Sequence, residues 1–121
     1  MHRLNVLVIG LEGAGARDVA ASLAEARSDT VVKVFESSYQ QVANPTGRLS
    51  VEGFAPDLIV LVTDSTRQNV TKSRSIARIL SKQFPGVEKI AIANKRGQSG
   101  VLSVEEVGEA LGLTTYERLG S

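Results

Sequence analysis

The chain has 121 residues, 42% of them apolar and 22% charged, and a net charge of +1. That suffices for one domain with a real core, residues 1–121, and gives no global electrostatic case for nucleic acid. Cysteine is absent, His2 is the single histidine and 4% of residues are aromatic; this excludes disulfides and thiolate metal sites and argues against a histidine dyad or a base-stacking platform.

The N-terminus runs straight into an apolar segment without a signal-peptide pattern, and no apolar run approaches the ~20 residues of a membrane helix. A cytoplasmic location is the expectation. Asn5 to Gly10 reads as a strand, because Val6 to Ile9 form an unbroken apolar run suited to burial on both faces. Gly10, Gly13 and Gly15 interrupt it, and a helix is expected from about Ala14 to Arg27. Val19, Ala20, Leu23 and Ala24 form its apolar stripe. A second strand spans Thr30 to Glu36, rich in β-branched and aromatic types. Ser37 to Pro56 has weak periodicity, a turn at Asn44-Pro45-Thr46-Gly47, and an expected helical turn within Leu49 to Phe54.

The third strand, Asp57 to Thr63, is the most apolar segment. Asp64, Ser65 and Thr66 supply capping side chains, with Asp64 the expected cap. The helix that follows places Val70, Ile76, Ala77, Leu80 and Phe84 on one face and stops at Pro85-Gly86. A fourth strand covers Lys89 to Ala93. Ser103 and Glu106 have the spacing of a capping box for a helix through Leu111, closed by Gly112, and Thr114 to Leu119 reads as a last short strand. Strand and helix alternate throughout. The expected fold is therefore α/β, in three layers, with a mostly parallel sheet of four to five strands and helices on both faces.

Gly10 and Gly15 have the spacing of the two glycines in a phosphate-binding P-loop, G-x-x-x-x-G-K-[ST]. Ala16 stands where that motif has Lys, and Arg17 where it has Ser or Thr. Four segments in order (VLVIGLEGAGAR, KVFESS, DLIVLVTDSTR and IAIANKRGQSGVLSVEEVGEALGL) resemble a small Ras-like GTPase of the Arf-like branch. The resemblance implies a truncated P-loop GTPase-like, Rossmann-like domain in which every nucleotide-handling motif is altered. Ala16 cannot neutralise phosphate, and Arg17 cannot ligate Mg²⁺. The family's D-x-x-G motif falls at Glu36-Ser37-Ser38-Tyr39, keeping a carboxylate but losing the glycine. Its base-reading N-K-x-D falls at Ala93-Asn94-Lys95-Arg96-Gly97, so Gly97 replaces the acid; a lost bidentate contact of that kind costs about 1–3 kcal/mol. The switch loop and antiparallel strand of the family have no counterpart, since Thr30 follows Arg27 by three residues.

Three functions follow as expectations. The first is a degenerate, non-catalytic GTPase-like protein that acts as an interaction or scaffold module, with no cofactor, catalytic residue or metal site. A protein partner or a second copy would then dock on it. The second is an unconventional GTP- or GDP-binding switch, with or without Mg²⁺, or a weak GTPase completed by a partner. Gly10, Gly13, Gly15, Arg17, Glu36, Asn94 and Lys95 would be its residues, with the glycine loop binding phosphate through backbone N–H groups at the helix start. The third is a flavodoxin-like receiver, which has only Glu12 for an acidic cluster after the first strand. For Asn94 the simpler reading is a tie between strand-end loops. Arg67, Lys72, Arg74, Arg78 and Lys82 make the second helix basic, either as a solvated face or as a docking face for an acidic partner. Glu105, Glu106 and Glu109 on the last helix offer an acidic counterpart, so the two faces are expected to be able to pair between copies. The truncated C-terminus leads to the expectation of one poorly covered side of the sheet.

Overall fold

The computed structural model describes residues 4–11, 13–26, 29–37, 55–94 and 101–117. Five strands and three helices are found among them: β1 Leu4–Leu11, α1 Ala16–Ala26, β2 Thr30–Ser37, β3 Leu58–Thr63, α2 Arg67–Gln83, β4 Glu88–Ala93, α3 Val104–Leu111 and β5 Thr114–Tyr116. The sheet has the order β2-β1-β3-β4-β5, and every pairing is parallel. This is the expected three-layer α/β architecture. The order is also that of flavodoxin-like folds, so topology alone does not separate them from a truncated GTPase-like domain. Tyr39, the segment expected to hold a helical turn at Leu49 to Phe54, Lys95, Arg96, Gly97 and the chain beyond Glu117 lie outside the described residues.

Alternation along the strands divides the core. Leu7, Ile9, Ile59, Leu61 and Ala91 face α2 and α3. Val6, Val8, Val60, Val62 and Ile92 face the other way and cluster with Ala14, Ala16 and Ala20. β1 and β3 are thus apolar at every central position, because both of their faces are dry. Each such Val, Leu or Ile contributes about 1.5–3 kcal/mol on burial, so these two strands dominate the core. The small alanines of α1 keep that helix close to the sheet.

Several boundaries differ from the sequence reading for local reasons. β3 begins at Leu58 because Asp57 acts as a clamp. Its N–H donates to the Asn5 carbonyl at 2.7 Å, and its carboxylate accepts the Asn5 N–H at 2.9 Å. α1 begins at Ala16, two residues late, because Gly13 and Gly15 take positive φ and Ala14 belongs to the turn. Ala24, placed on the buried stripe by spacing, is exposed. Asp64 is not the helix cap. Thr66 holds that position and accepts the Asn69 N–H at 3.3 Å, while Asp64 accepts the Thr66 N–H, the Thr66 hydroxyl and the Asn69 side-chain amide. Ser103 and Glu106 do form a reciprocal capping box on α3, which Gly112 ends.

The expectation of an uncovered side of the sheet is not met in its centre. Val60, Val62 and Ile92 on the α1 side are buried. Among the described residues, the exposed large apolar side chains are Val31 and Tyr116. They belong to β2 and β5, the two outer strands.

Candidate functional site

β1 delivers the chain to the carboxyl end of the sheet, where a tight turn leads into α1. Gly10, the first glycine of the loop pattern, is needed by the sheet itself. A Cβ there would sit 2.6 Å from the Val62 carbonyl oxygen, so only glycine lets β1 and β3 approach this closely. Gly13 and Gly15 have φ of 86° and 96°, which turn the chain sharply. The Ala14 N–H closes the turn on the Leu11 carbonyl at 3.1 Å, and the Val19 N–H reaches the Gly15 carbonyl at 3.1 Å, starting the helix.

Asn94 locks this loop from the far side of the sheet. It leaves the end of β4, and its side-chain amide donates to the Ala14 carbonyl at 3.0 Å across eighty positions of sequence. Its backbone N–H donates to the Thr63 carbonyl at 2.7 Å, and its own carbonyl accepts the Ser65 hydroxyl at 3.0 Å. Ser65 is fully buried and is the one non-glycine residue with positive φ among those described. Its carbonyl accepts the Leu102 N–H at 2.9 Å, which draws the approach to α3 into the same knot. The sequence reading gave Ser65 only a generic capping role. Its left-handed backbone has no sequence signal that a Ser-Thr pair would reveal.

The structure brings Gly10, Gly13, Gly15, Ala16, Arg17, Glu36 and Asn94 to one end of the sheet. Lys95 and Gly97 lie outside the described residues. Ala16 is fully buried in the apolar cluster under α1. Arg17 lies beside it with an 80% exposed side chain, and its guanidinium Nε donates to the Glu36 carboxylate at the end of β2. The cation at the loop is thus already matched by an anion of the same chain. In-register pairing of Gly10 with Glu36 fixes that meeting.

The basic residues of α2 divide. Arg67, Arg74 and Arg78 line a shallow groove whose opposite wall carries Glu106 and Glu109 of α3, while Lys72 and Lys82 lie off it. α2 and α3 pack side by side on one face of the sheet, so the acidic counterpart expected in a second copy is available within the chain. The Glu106 carboxyl is held below its ordinary value of 4.5, first by the Ser103 backbone N–H, then by the Ser103 hydroxyl, and least by the charge of Arg67. Among the described residues there is no group of three or more metal-ligating side chains, and no helix is long and apolar enough to cross a membrane.

The site is thus a glycine turn between β1 and α1 at one end of a parallel sheet, tied by an asparagine at the end of β4. No family model matches the chain. Among curated proteins it is similar to ADP-ribosylation factor-like protein 1 of Drosophila melanogaster, at 24% identity over 130 aligned residues covering 93% of this chain and 72% of that protein. The match supports a small GTPase-like relationship for the domain.

Proposed function

We propose that this chain is a small-GTPase-like protein that acts as a protein-interaction module and has no catalytic role of its own. One observation carries the reading. At the helix start, where a phosphate would need a lysine and a metal-holding hydroxyl, Ala16 is buried and Arg17 is paired with Glu36. An incoming anion would have to displace that carboxylate before it met positive charge. The backbone turn remains, but without neutralisation its N–H groups and the helix dipole are worth only about 0.3–1 kcal/mol at an exposed site. The domain then offers a rigid surface rather than a pocket.

The unconventional nucleotide switch is the second reading, and the preserved turn with its Asn94 tie favours it. Thermal melting with GTP, GDP and ATP, each with and without Mg²⁺, separates the two. A ligand present at 100 times its dissociation constant adds about 2.7 kcal/mol. The interaction reading expects an unchanged melting temperature at millimolar nucleotide. A rise specific to guanine nucleotide would replace it with the switch.

A further inference from the structure

The groove between α2 and α3 carries opposite charges on its two walls. Arg74 and Arg78 stand on the α2 side, and Glu109 borders the same stretch from α3. Nearer the start of each helix, Arg67 and Glu106 stand in the same relation. All five residues are exposed, so both walls are open to solvent. The charge of Arg67 already acts on Glu106 within the chain. Among the described residues, however, no ion pair joins Arg74 or Arg78 to Glu109. Ala77 and Ala110 line the groove beside these charges, and both are too small to hold another surface away. Arg74 and Glu109 border both stretches of the groove, so the two signs stand at one level along it.

We propose that this face docks on the same face of a second copy, around a two-fold axis running along the groove, so that Arg74 and Arg78 meet Glu109 of the partner subunit. Such an axis exchanges left and right but keeps the level along the groove. It therefore sets the α2 wall against the α3 wall twice, opposite charges facing at both contacts. An axis running across the groove would stack α2 on α2, arginine against arginine, and is disfavoured. A wholly acidic or wholly basic partner fits less well, since either leaves one wall facing its own sign. A second copy brings both signs in the required order. The net charge of +1 leaves little repulsion between copies. α3 has 8 residues, about 12 Å of helix, so the contact is smaller than that of a permanent dimer and association is reversible.

This rests on the interaction reading and names its partner. Its test involves no nucleotide, so the two fail separately. Sedimentation equilibrium of the full chain in low salt is expected to show the mass rising from monomer toward dimer with concentration. High salt is expected to return the monomer, because the pairs lie at an exposed surface. The double variant Arg74→Glu with Arg78→Glu, and the single variant Glu109→Arg, are each expected to remain monomeric alone, since each sets like charges face to face twice. Mixed in equal amounts they are expected to associate again, because opposite charges then meet at both contacts. These positions are exposed, so each variant is expected to melt close to the native chain. The mass of the native chain is a test that needs no variant. A native monomer at every concentration in low salt overturns the proposal. A mixture that associates no more than its two components also overturns it.

Discussion

The loop after β1 and the groove between α2 and α3 both gather charged side chains, yet they are built in opposite ways. The loop is shaped by backbone and burial: a carbonyl that tolerates no Cβ, a turn closed on Leu11, and the Asn94 amide driven into Ala14. Among the described residues, its Arg17 is exposed and answered by the Glu36 carboxylate. The groove is shaped by two amphipathic helices lying on a common face, and its Arg and Glu walls project from exposed positions. A loop held by backbone and burial does not depend on its charged side chains for its form, whereas the groove is made of them.

That contrast can be broken by substitution. Gly10→Ala is expected to have the largest effect, since the new methyl would lie 2.6 Å from the Val62 oxygen and force β1 and β3 apart. A loss of about 3 kcal/mol in urea unfolding is expected, at the upper end for overpacking. Asn94→Ala removes the donor to Ala14 and should cost about 1–2 kcal/mol, a hydrogen bond of a half-buried group. Hydrogen exchange in residues 13–17 should quicken in that variant and not in one altered on the groove. Arg17→Ala should cost at most about 0.5 kcal/mol, because the guanidinium is mostly in water and its pair is screened. A larger loss, insensitive to salt, would mean that the loop depends on its charge after all.

The smallest effect belongs to the capping box at the start of α3, on the rim of the groove, and is seen through pH. Glu106 has a native carboxyl pKa below its ordinary value of 4.5. A depressed carboxylate contributes stability that is present above the unfolded value and lost as pH falls through the native one. The native chain should therefore lose a small increment on acidification below 4.5 that Glu106→Gln does not show. Comparing melting curves of the two across that range measures it. A difference that survived at the acid end would place the effect in packing instead.

Much of this architecture was legible in the sequence. Continuous apolar runs such as Val6 to Ile9 announce strands covered on both faces, and Ser103 with Glu106 announces a helix start, because period and capping are local. The glycine turn was legible as a pattern, and Asn94 as a structural tie. Three things were not. The meeting of Arg17 with Glu36 depends on the register of β1 and β2, which no local signal sets. The facing of α2 by α3 depends on both helices crossing to the same side of the sheet, so the sequence shows the acids of α3 as a counterpart between copies and not as the other wall of a groove within the chain. The left-handed backbone of Ser65 is imposed by Asn94 and Leu102, which are distant in sequence.

On the proposed reading, the loop keeps its form without the charges that would hold a triphosphate. Calorimetric titration of GDP with Mg²⁺ into the full chain addresses it directly. The account expects no saturable heat at millimolar nucleotide, in the native chain and in Arg17→Ala alike. One-to-one binding with a micromolar dissociation constant, weakened by Arg17→Ala, would contradict it.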